Sequence, residues 1–316
     1  MSDGTALRLP LSACLIARDE ERNLPRALAS VDFAAEIIVV LDARTRDRSA
    51  EIVRGFDRPD RPARVVPREW AGHVAQKNAA LDLATREWIL SIDADERVSP
   101  DLAAELGRLF SSGPGAAGYT VNRRTLYLGC WMRGGGWYPD RKLRLVRRGR
   151  GRWAGTDPHD RLEAEGPVEA LRGDLLHGSY RDLEDHIRKI DSFTSIAARE
   201  KFLGAGGRPS APVLRMLIHA PARFFRMYIL RRGFRDGMRG MIAALLGAFY
   251  VFLKYAKVWE MVQAERRVAG SARFLDPESR PLLGTPPVPL AAQAPRGTGS
   301  PSAAQSTRPP PAGPGL

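Results

Sequence analysis

Trp88-Ile89-Leu90-Ser91-Ile92-Asp93-Ala94-Asp95-Glu96 is an apolar run that ends in two carboxylates one residue apart. Such a run is typical of a buried strand in a parallel sheet, and open α/β sheets bind their ligands beyond the carboxyl ends of these strands. Because side chains alternate along an extended chain, Asp93 and Asp95 are predicted to point the same way and to share a hard divalent cation that also binds phosphate oxygens. The tripeptide alone also fits a loop or a helix cap.

The sequence before this stretch alternates between strand and helix patterns. Apolar runs at residues 11–17, 36–41 and 63–66 predict three further strands, and apolar residues at helical spacing follow each of them. This order predicts βαβ units and a parallel sheet. After the opening stretch, Ser99-Pro100 predicts the start of a helix that runs to about residue 110.

The second half of the chain has a different pattern. Residues 119–124 and 141–146 predict strands, joined by an aromatic and glycine-rich segment at 127–138 whose rings could stack on a sugar. A helix is predicted at 183–202, before a glycine- and proline-rich break.

Composition limits the class of partner and the compartment. The 316 residues contain 49 Lys and Arg against 36 Asp and Glu, a formal net charge of +13, which indicates an anionic partner such as nucleic acid, a membrane surface or a phosphorylated substrate. The two cysteines, Cys14 and Cys130, have no CxxC spacing, so a reducing cytoplasm is expected. The N-terminus shows no export signal, because Arg8, Pro10 and Ser12 interrupt its apolar residues.

Residues 213–267 interleave apolar and aromatic residues with arginine and lysine. From Arg215 to Arg267 there are eleven bases and three acids, and the longest apolar run, 241–253, is shorter than the roughly 20 residues that span a bilayer. We expect amphipathic helices that lie on an anionic membrane surface. The alternative is helices that cover the catalytic domain or a dimer surface. No nucleic-acid-binding motif accompanies the charge, so no nucleic acid partner is expected.

Four motifs in chain order resemble the family 2 glycosyltransferases of the GT-A fold. They are Leu15-Ile16-Ala17-Arg18-Asp19-Glu20-Glu21, Val39-Val40-Leu41-Asp42, Gln76-Lys77-Asn78 and Asp93-Ala94-Asp95. Within that family the chain is most similar to enzymes that build the lipopolysaccharide core, in the β-1,4-glucosyltransferase branch. The segments that carry this closer likeness are residues 75–81, 136–140, 176–185 and 249–257.

The resemblance implies a fold class and a domain division. It implies an α/β, Rossmann-like GT-A domain with a mostly parallel central sheet at residues 1–206, followed by C-terminal amphipathic helices. The nucleotide-sugar half is expected at about 8–112 and the acceptor half at about 113–206. The helices at 213–267 are the membrane-associating region, and the Pro/Ala/Gly-rich residues 277–316 are expected to be disordered.

The resemblance also implies a set of donor-binding residues. Glu20 and Asp42 correspond to acids that hold the base and ribose, because a carboxylate accepts from an imide N–H or a hydroxyl. Lys77 corresponds to a basic residue near the diphosphate, and Asn78 adjoins it. The alternatives are helix capping for the two acids, a solvated helix face for Lys77, and packing or capping for Asn78. Ala43-Arg44-Thr45-Arg46 departs from the glycine and small hydroxyl residues common in the family's second loop.

A divalent cation, Mg²⁺ or Mn²⁺, is the implied cofactor. Asp95 is expected to bind it directly, while Asp93 reaches ribose or reaches the metal through water. The cation would stabilise the departing diphosphate.

An inverting transfer also needs a base to deprotonate the acceptor hydroxyl. The resemblance implies Asp160 for this role, because His159-Asp160 stands where similar enzymes have a His-Glu pair, and Asp157 is its competitor. His159 could orient an acid or bind phosphate, or have a structural role. His177 could approach the metal or diphosphate, or be a buried, hydrogen-bonded histidine.

The acceptor is expected to lie on Trp137 and Tyr138, with Asp140 binding a sugar hydroxyl. The alternative is that these aromatic rings simply pack under a loop. Three arginines could meet acceptor phosphates or form a solvated basic face. They are Arg144, Arg147 and Arg148.

These features predict a metal-dependent, inverting hexosyltransferase. It would move a hexose, with glucose expected, from a UDP-sugar to a lipopolysaccharide-core or related cell-envelope acceptor. It would be cytoplasmic and peripheral on the inner face of the cytoplasmic membrane. The alternatives are transfer to polyprenyl phosphate and a non-catalytic basic membrane-binding scaffold. Nucleotidyl transfer would need a glycine-rich basic loop after the first strand, where Arg18-Asp19-Glu20-Glu21 is acidic instead.

Overall fold

The structure is a computed structural model that describes residues 8–155, 160–207 and 209–274, with side chains described as far as Arg267. The chain divides into two units, Met1–Arg266 and Arg267–Leu316, and the fold below is that of the first. The predicted tail at 277–316 lies outside the described residues.

The first half of the chain forms the parallel part of the sheet. Strands β1 to β4 pair in the order β3-β2-β1-β4, and all three pairings are parallel. Their bounds are Leu9–Ala17, Ala34–Asp42, Ala63–Arg68 and Trp88–Ser91. The helices between them are α1 (Leu24–Ser30), α2 (Ser49–Arg54) and α3 (His73–Asp82). The predicted βαβ order is therefore confirmed.

The second half continues the same sheet with mixed pairings. Beyond β4 the order is β8-β6-β11-β5, with β8 antiparallel to β4 and β6, β11 parallel to β6, and β5 antiparallel to β11. A short β7 pairs with β6, and β9 and β10 form a separate hairpin. The bounds are β5 Glu96–Val98, β6 Gly118–Tyr127, β7 Cys130–Trp131, β8 Asp140–Arg147, β9 Gly151–Ala154, β10 Arg161–Ala164 and β11 Val168–His177.

Both faces of the parallel part are buried, which explains its continuous apolar runs. On β1, Leu11 and Leu15 face a cluster that includes α1 and the helix α4 (Pro100–Ser112), while Cys14 faces a second cluster with α3 and Trp153. The predicted start of α4 is confirmed, because the Ser99 hydroxyl accepts a hydrogen bond from the Leu102 amide at 3.1 Å.

Three helices end the described chain. They are α5 (Leu183–Gly204), α6 (Pro212–Phe225) and α7 (Gly237–Phe274), with a π-helical turn at Arg226–Leu230 and a 3₁₀ turn at Gly233–Asp236 between the last two. Asp236 is buried and accepts hydrogen bonds from the amides of Arg133 and Gly134, so the start of α7 is fixed to the loop after β7.

One face of α7 packs on the domain and another carries exposed apolar side chains. Ala243, Ala244 and Val258 are buried, whereas Leu245 is 53% exposed and Phe252 is 43% exposed. By length and composition alone, residues Gly233–Arg267 are long and apolar enough to cross a membrane, and 22% of their most apolar window is buried. The 241–253 run that the sequence emphasises is thus part of a longer apolar helix.

Candidate active site

A cavity of about 600 Å³ lies at the carboxyl ends of β1 and β4, and we call it the acidic cavity. Its walls also include the start of α3, Asp160, the end of β11 and Phe193 of α5. Carboxyl ends of adjacent parallel strands meet at one edge of a sheet, so residues far apart in the sequence converge here. The side chains of Asp, Glu, Lys and Arg that line it are Arg18, Glu20, Lys77, Asp93, Asp95 and Asp160.

The two carboxylates that follow β4 have different partners. β4 ends at Ser91, and a turn in which the Glu96 amide donates to the Asp93 carbonyl (2.9 Å) replaces the extended geometry that the sequence predicts. Asp93 is paired with Lys77 through Oδ1 (2.8 Å) and with Arg144 through Oδ2 (3.0 Å). Burial acts to raise the pKa of Asp93, but the charges of Arg144 and Lys77 outweigh it and hold this pKa below its ordinary value.

Arg144 lies behind the acid turn. Its side chain is buried, and it donates to Glu96 Oε1 at 2.7 Å as well as to Asp93. Burial acts to lower the pKa of Arg144, but the charges of Glu96 and Asp93 raise it above its ordinary value. This corrects the sequence analysis, which treats Arg144 as an acceptor-facing or solvated residue. Arg147 pairs with Glu87 at the surface, at 2.8 Å.

Asp95 is paired with His177 instead of a lysine or arginine. Its Oδ2 lies 3.2 Å from His177 Nε2 at the end of β11. Among the described residues, no three His, Cys, Asp or Glu side chains are placed to hold a metal ion together. A carboxylate oxygen and an imidazole nitrogen are nevertheless metal ligands, and a diphosphate supplies further oxygens. Asp95 and His177 therefore fit part of a cation site, whereas both Asp93 oxygens are occupied by cationic side chains.

Lys77 connects Asp93 to the predicted base. Its ammonium lies 2.8 Å from Asp160 Oδ2 and 4.1 Å from the centroid of the Trp153 ring. The side chain is almost fully buried, because α3 carries it into the cavity rather than to the solvated face that was the alternative. Asp157 and His159 lie outside the described residues.

Glu20 and Asp42, the two acids predicted to bind the base and ribose, differ in their access to the acidic cavity. Glu20 lines the cavity and accepts a hydrogen bond from the Asn23 side chain at 2.7 Å, and its pKa is raised, chiefly by burial. Asp42 is buried beneath Arg18, whose Nη1 lies 3.4 Å from Asp42 Oδ2. Its Oδ1 accepts from the Arg44 amide at 2.9 Å, and its Oδ2 has no hydrogen bond. Asp42 does not line the acidic cavity, whereas Arg18 does.

A second cavity of about 630 Å³ adjoins the first, and we call it the aromatic cavity. Trp137 and Asp140, predicted acceptor residues, line it together with Tyr180 and His186. Tyr138 does not line it, because its hydroxyl donates to Asp174 at 2.9 Å. Two side chains, His177 and Phe193, line both cavities.

Comparison with known proteins identifies the family. Residues 12–156 match the model described as "Glycosyl transferase family 2". The chain is 32% identical over 260 residues, 80% of its own length and 93% of the relative's, to the "Lipopolysaccharide core biosynthesis glycosyltransferase LpsC" of Rhizobium meliloti. The chain belongs to glycosyl transferase family 2.

Two other matches have lower sequence identity to this chain. An uncharacterized glycosyltransferase of Rickettsia typhi is 26% identical, over 84% of this chain and 92% of the relative. Among solved structures, S. aureus TarS 1-349 in complex with UDP-GlcNAc matches with a TM-score of 0.44 and 11% identity, over 82% of this chain and 92% of that one.

The family assignment and the α/β fold class predicted from the sequence are confirmed. Asn78, however, is not brought to either cavity of this family 2 enzyme. Its amide nitrogen donates to the Trp153 carbonyl and its oxygen accepts from the Trp153 amide, both at 2.9 Å. Both ends of the amide therefore hold β9 against α3, which agrees with the packing alternative.

Some residues with a place in this site have no role in the sequence prediction, and Glu96, Trp70 and His186 are among them. Glu96 is fully buried and anchors Arg144, and Trp70 lines the acidic cavity beside His73. His186 lines the aromatic cavity. Two sequence features could have indicated Glu96 and Trp70. Glu96 is the acid directly after Asp95, and Trp70 begins the Trp-Ala-Gly that precedes α3.

Proposed function

We propose that this family 2 member is an inverting glycosyltransferase that moves a hexose, with glucose favoured, from a UDP-sugar to a lipopolysaccharide-core or related cell-envelope acceptor. The observation that carries the proposal is the convergence of Glu20, Lys77, Asp95 and Asp160 in one cavity at the carboxyl ends of β1 and β4. The R. meliloti relative is named for lipopolysaccharide core biosynthesis, which supports the acceptor class.

The acidic cavity has groups suited to a nucleotide sugar. Glu20 offers a carboxylate to a uracil imide or a ribose hydroxyl, and Trp70 offers a ring face. Lys77 would meet the diphosphate. Asp95 and His177 would hold Mg²⁺ or Mn²⁺, which when bound neutralises charge that develops on the leaving diphosphate.

Asp160 is the proposed general base. As the acceptor oxygen attacks the anomeric carbon, its proton passes to an Asp160 carboxylate oxygen, and the bond from the anomeric carbon to the diphosphate oxygen breaks. Attack on the face opposite the leaving group inverts the anomeric configuration. Asp160 Oδ2 is ion-paired with Lys77 in the structure, so a diphosphate that draws Lys77 away would free this oxygen to accept the proton.

A pair of substitutions tests this proposal. Asp160→Asn should lower transfer by about 10²–10⁴-fold, the usual contribution of a general base, while UDP-sugar still raises the thermal transition in the presence of Mn²⁺. Asp95→Ala should remove the Mn²⁺-dependent part of that rise. Transfer of radiolabelled glucose to rough lipopolysaccharide gives the rate. Asp82→Asn is the matched control, since Asp82 pairs with Arg152 at the surface.

Near-normal turnover of Asp160→Asn would remove Asp160 from the role of base. Absence of transfer in the wild type, together with donor binding that Asp95→Ala leaves unchanged, would favour the non-catalytic scaffold instead.

We also propose that the enzyme is peripheral on the inner face of the cytoplasmic membrane. Support comes from α6, where Leu214 is 57% exposed and Leu217 is 62% exposed among arginines. The protein should sediment with phosphatidylglycerol vesicles more than with phosphatidylcholine vesicles, and L214S/L217S should weaken this several-fold. Val168→Ser, at an exposed position on β11, is the control. Equal sedimentation of all three proteins would contradict the proposal.

A further inference from the structure

The aromatic cavity is enclosed by two kinds of wall. Its domain wall carries the rings of Trp137, Tyr180 and His186, with centroids 5.7 Å apart for the first two and 4.2 Å for the last two. Its helical wall comes from the C-terminal helices, and it carries Arg223 of α6 and Lys254 of α7. The cavity therefore has a stacking surface on one side and positive charge on the other.

The cations of the domain wall are already paired. Arg123 and Lys142 both bind Asp140, at 2.8 Å and 3.1 Å. Lys189 binds Asp185 at 3.0 Å. Each cation of the domain wall therefore has an acidic partner within the protein.

The two cations of the helical wall have no such partner. Within the part of the chain whose side chains are described, neither Arg223 nor Lys254 makes an ion pair with an acidic side chain, and the Lys254 ammonium lies 4.8 Å from the centroid of the Tyr255 ring. Partial burial and the neighbouring charges of Arg231 and Arg226 lower the pKa of Arg223. An anion bound beside Arg223 would relieve this repulsion.

Arg223 and Lys254 lie on either side of the Tyr250 ring, as the spacing of residues along α7 indicates. Gly247, Tyr250 and Lys254 recur three and four residues apart, so they share one face of α7. Arg223 Nε lies 3.9 Å from the point where a Cβ on Gly247 would be. Arg223 and Lys254 therefore flank Tyr250 along the helical wall. Leu246 and Val251 add apolar surface beside them.

We propose that the aromatic cavity binds the acceptor and that this acceptor is a sugar with an acidic substituent, a phosphate or a carboxylate, held by Arg223 and Lys254. The assignment of the cavity to the acceptor rests on the proposed function. His177 and Phe193 line both cavities, so a sugar stacked on Trp137 lies next to the acidic cavity. The apolar residues of the helical wall accommodate an alkyl chain attached to the sugar.

Three hexyl glycosides serve as probes, each below its micelle-forming concentration. They are hexyl β-glucoside, hexyl β-glucuronide and hexyl 6-phospho-β-glucoside, which share a ring and differ in one substituent. Titration calorimetry on the full chain, with and without UDP and Mn²⁺, gives their Kd values. A charged hydrogen bond contributes enough for the acidic glycosides to bind at least about tenfold more tightly than the neutral one. The acidic probe with the lower Kd shows whether the site prefers a carboxylate or a phosphate.

R223Q/K254Q should reduce this acidic preference to less than about threefold, a change of the size that loss of charged hydrogen bonds produces. The matched control is Arg215→Gln, an arginine of α6 that does not line the cavity and donates to Ser210. UDP binding should be equal in the wild type and in both variants, which also shows that the variants are folded.

The possible outcomes separate the two proposals. Absence of UDP binding in the wild type would overturn the proposed function, and the acidic preference is then judged from the titrations without nucleotide. If UDP binds but the wild type lacks the preference, binds none of the glycosides, or retains the preference in R223Q/K254Q, the inference is overturned and the proposed function stands. A loss of binding only to phosphatidylglycerol vesicles would assign the two cations to a membrane surface and would also overturn it.

Discussion

The two cavities differ in how their positive charges are balanced. Around the acidic cavity, Lys77 is bonded to Asp93 and Asp160, and Arg144 is bonded to Asp93 and Glu96. On the helical wall of the aromatic cavity, Arg223 faces other arginines and no described carboxylate pairs with it. The cations of the acidic cavity are paired within the fold, whereas those of the helical wall form no ion pair with a described acidic side chain.

This difference indicates which cations hold the fold together. A buried ion removed from a paired network leaves its partners charged and without a counter-ion, so the whole desolvation cost appears as lost stability. A cation that has only like-charged neighbours and solvent contributes nothing comparable. We therefore expect two substitutions that remove the same functional group to differ strongly in their effect on stability.

Arg144→Met should produce the larger effect. It removes a buried guanidinium and leaves Asp93 and Glu96 without its charge, so we expect unfolding free energy to fall by about 3–5 kcal/mol, as for other broken buried pairs. Denaturation in urea measures the change. UDP binding should also weaken, because Asp93 loses the partner of its Oδ2.

Arg223→Met is the matched control from the other cavity. Its unfolding free energy should remain within about 0.5 kcal/mol of the wild type, because no ion pair is lost and repulsion from Arg226 and Arg231 is reduced. Equal destabilisation by the two substitutions would remove the distinction between the cavities.

The acidic cavity could be predicted well from the sequence. Its strands are apolar on both faces, so β1, β2 and β4 appear as continuous runs, and polar residues mark their carboxyl ends. Glu20, Asp93 and Asp95 follow β1 and β4 directly and line the cavity. Local sequence was sufficient here because the parallel sheet itself brings these ends together.

The partners across the sheet could not be predicted in the same way. Arg144 reaches Asp93 because Leu145 of β8 pairs with Leu90 of β4, and no local pattern fixes an antiparallel register between segments this far apart. Composition describes Arg144 and Arg223 identically, although one is buried in a salt bridge and the other lines a cavity. The sequence left open whether α7 binds a membrane or covers the domain, because its apolar residues suit either surface. In the structure Ala243 and Val258 pack inward.

The smaller predicted effect concerns His186 on the domain wall of the aromatic cavity. This imidazole is buried, bonded through Nδ1 to the Tyr127 hydroxyl at 2.8 Å, and its ring centroid lies 4.2 Å from that of Tyr180. Burial lowers its pKa to about 4. An unfolded histidine titrates near 6.5, so between about pH 6.5 and 4 the unfolded state binds the extra proton. Stability should therefore fall as the pH falls through that range, by about 1–2 kcal/mol between pH 7.5 and pH 5.

His186→Phe isolates the contribution of His186 to the pH dependence of stability. All other titrating groups are present in both the variant and the wild type, so their contributions cancel in the comparison. The unfolding free energy of the variant should change less between pH 7.5 and pH 5 than that of the wild type, and the exposed-histidine control His219→Phe should keep the wild-type dependence. An equal pH dependence in the His186 variant and the wild type would mean that the folded protein also binds this proton. The domain wall would then gain an unpaired positive charge in acid. The contrast between a wall whose cations are paired and a wall whose cations are not would hold only above the pKa of His186.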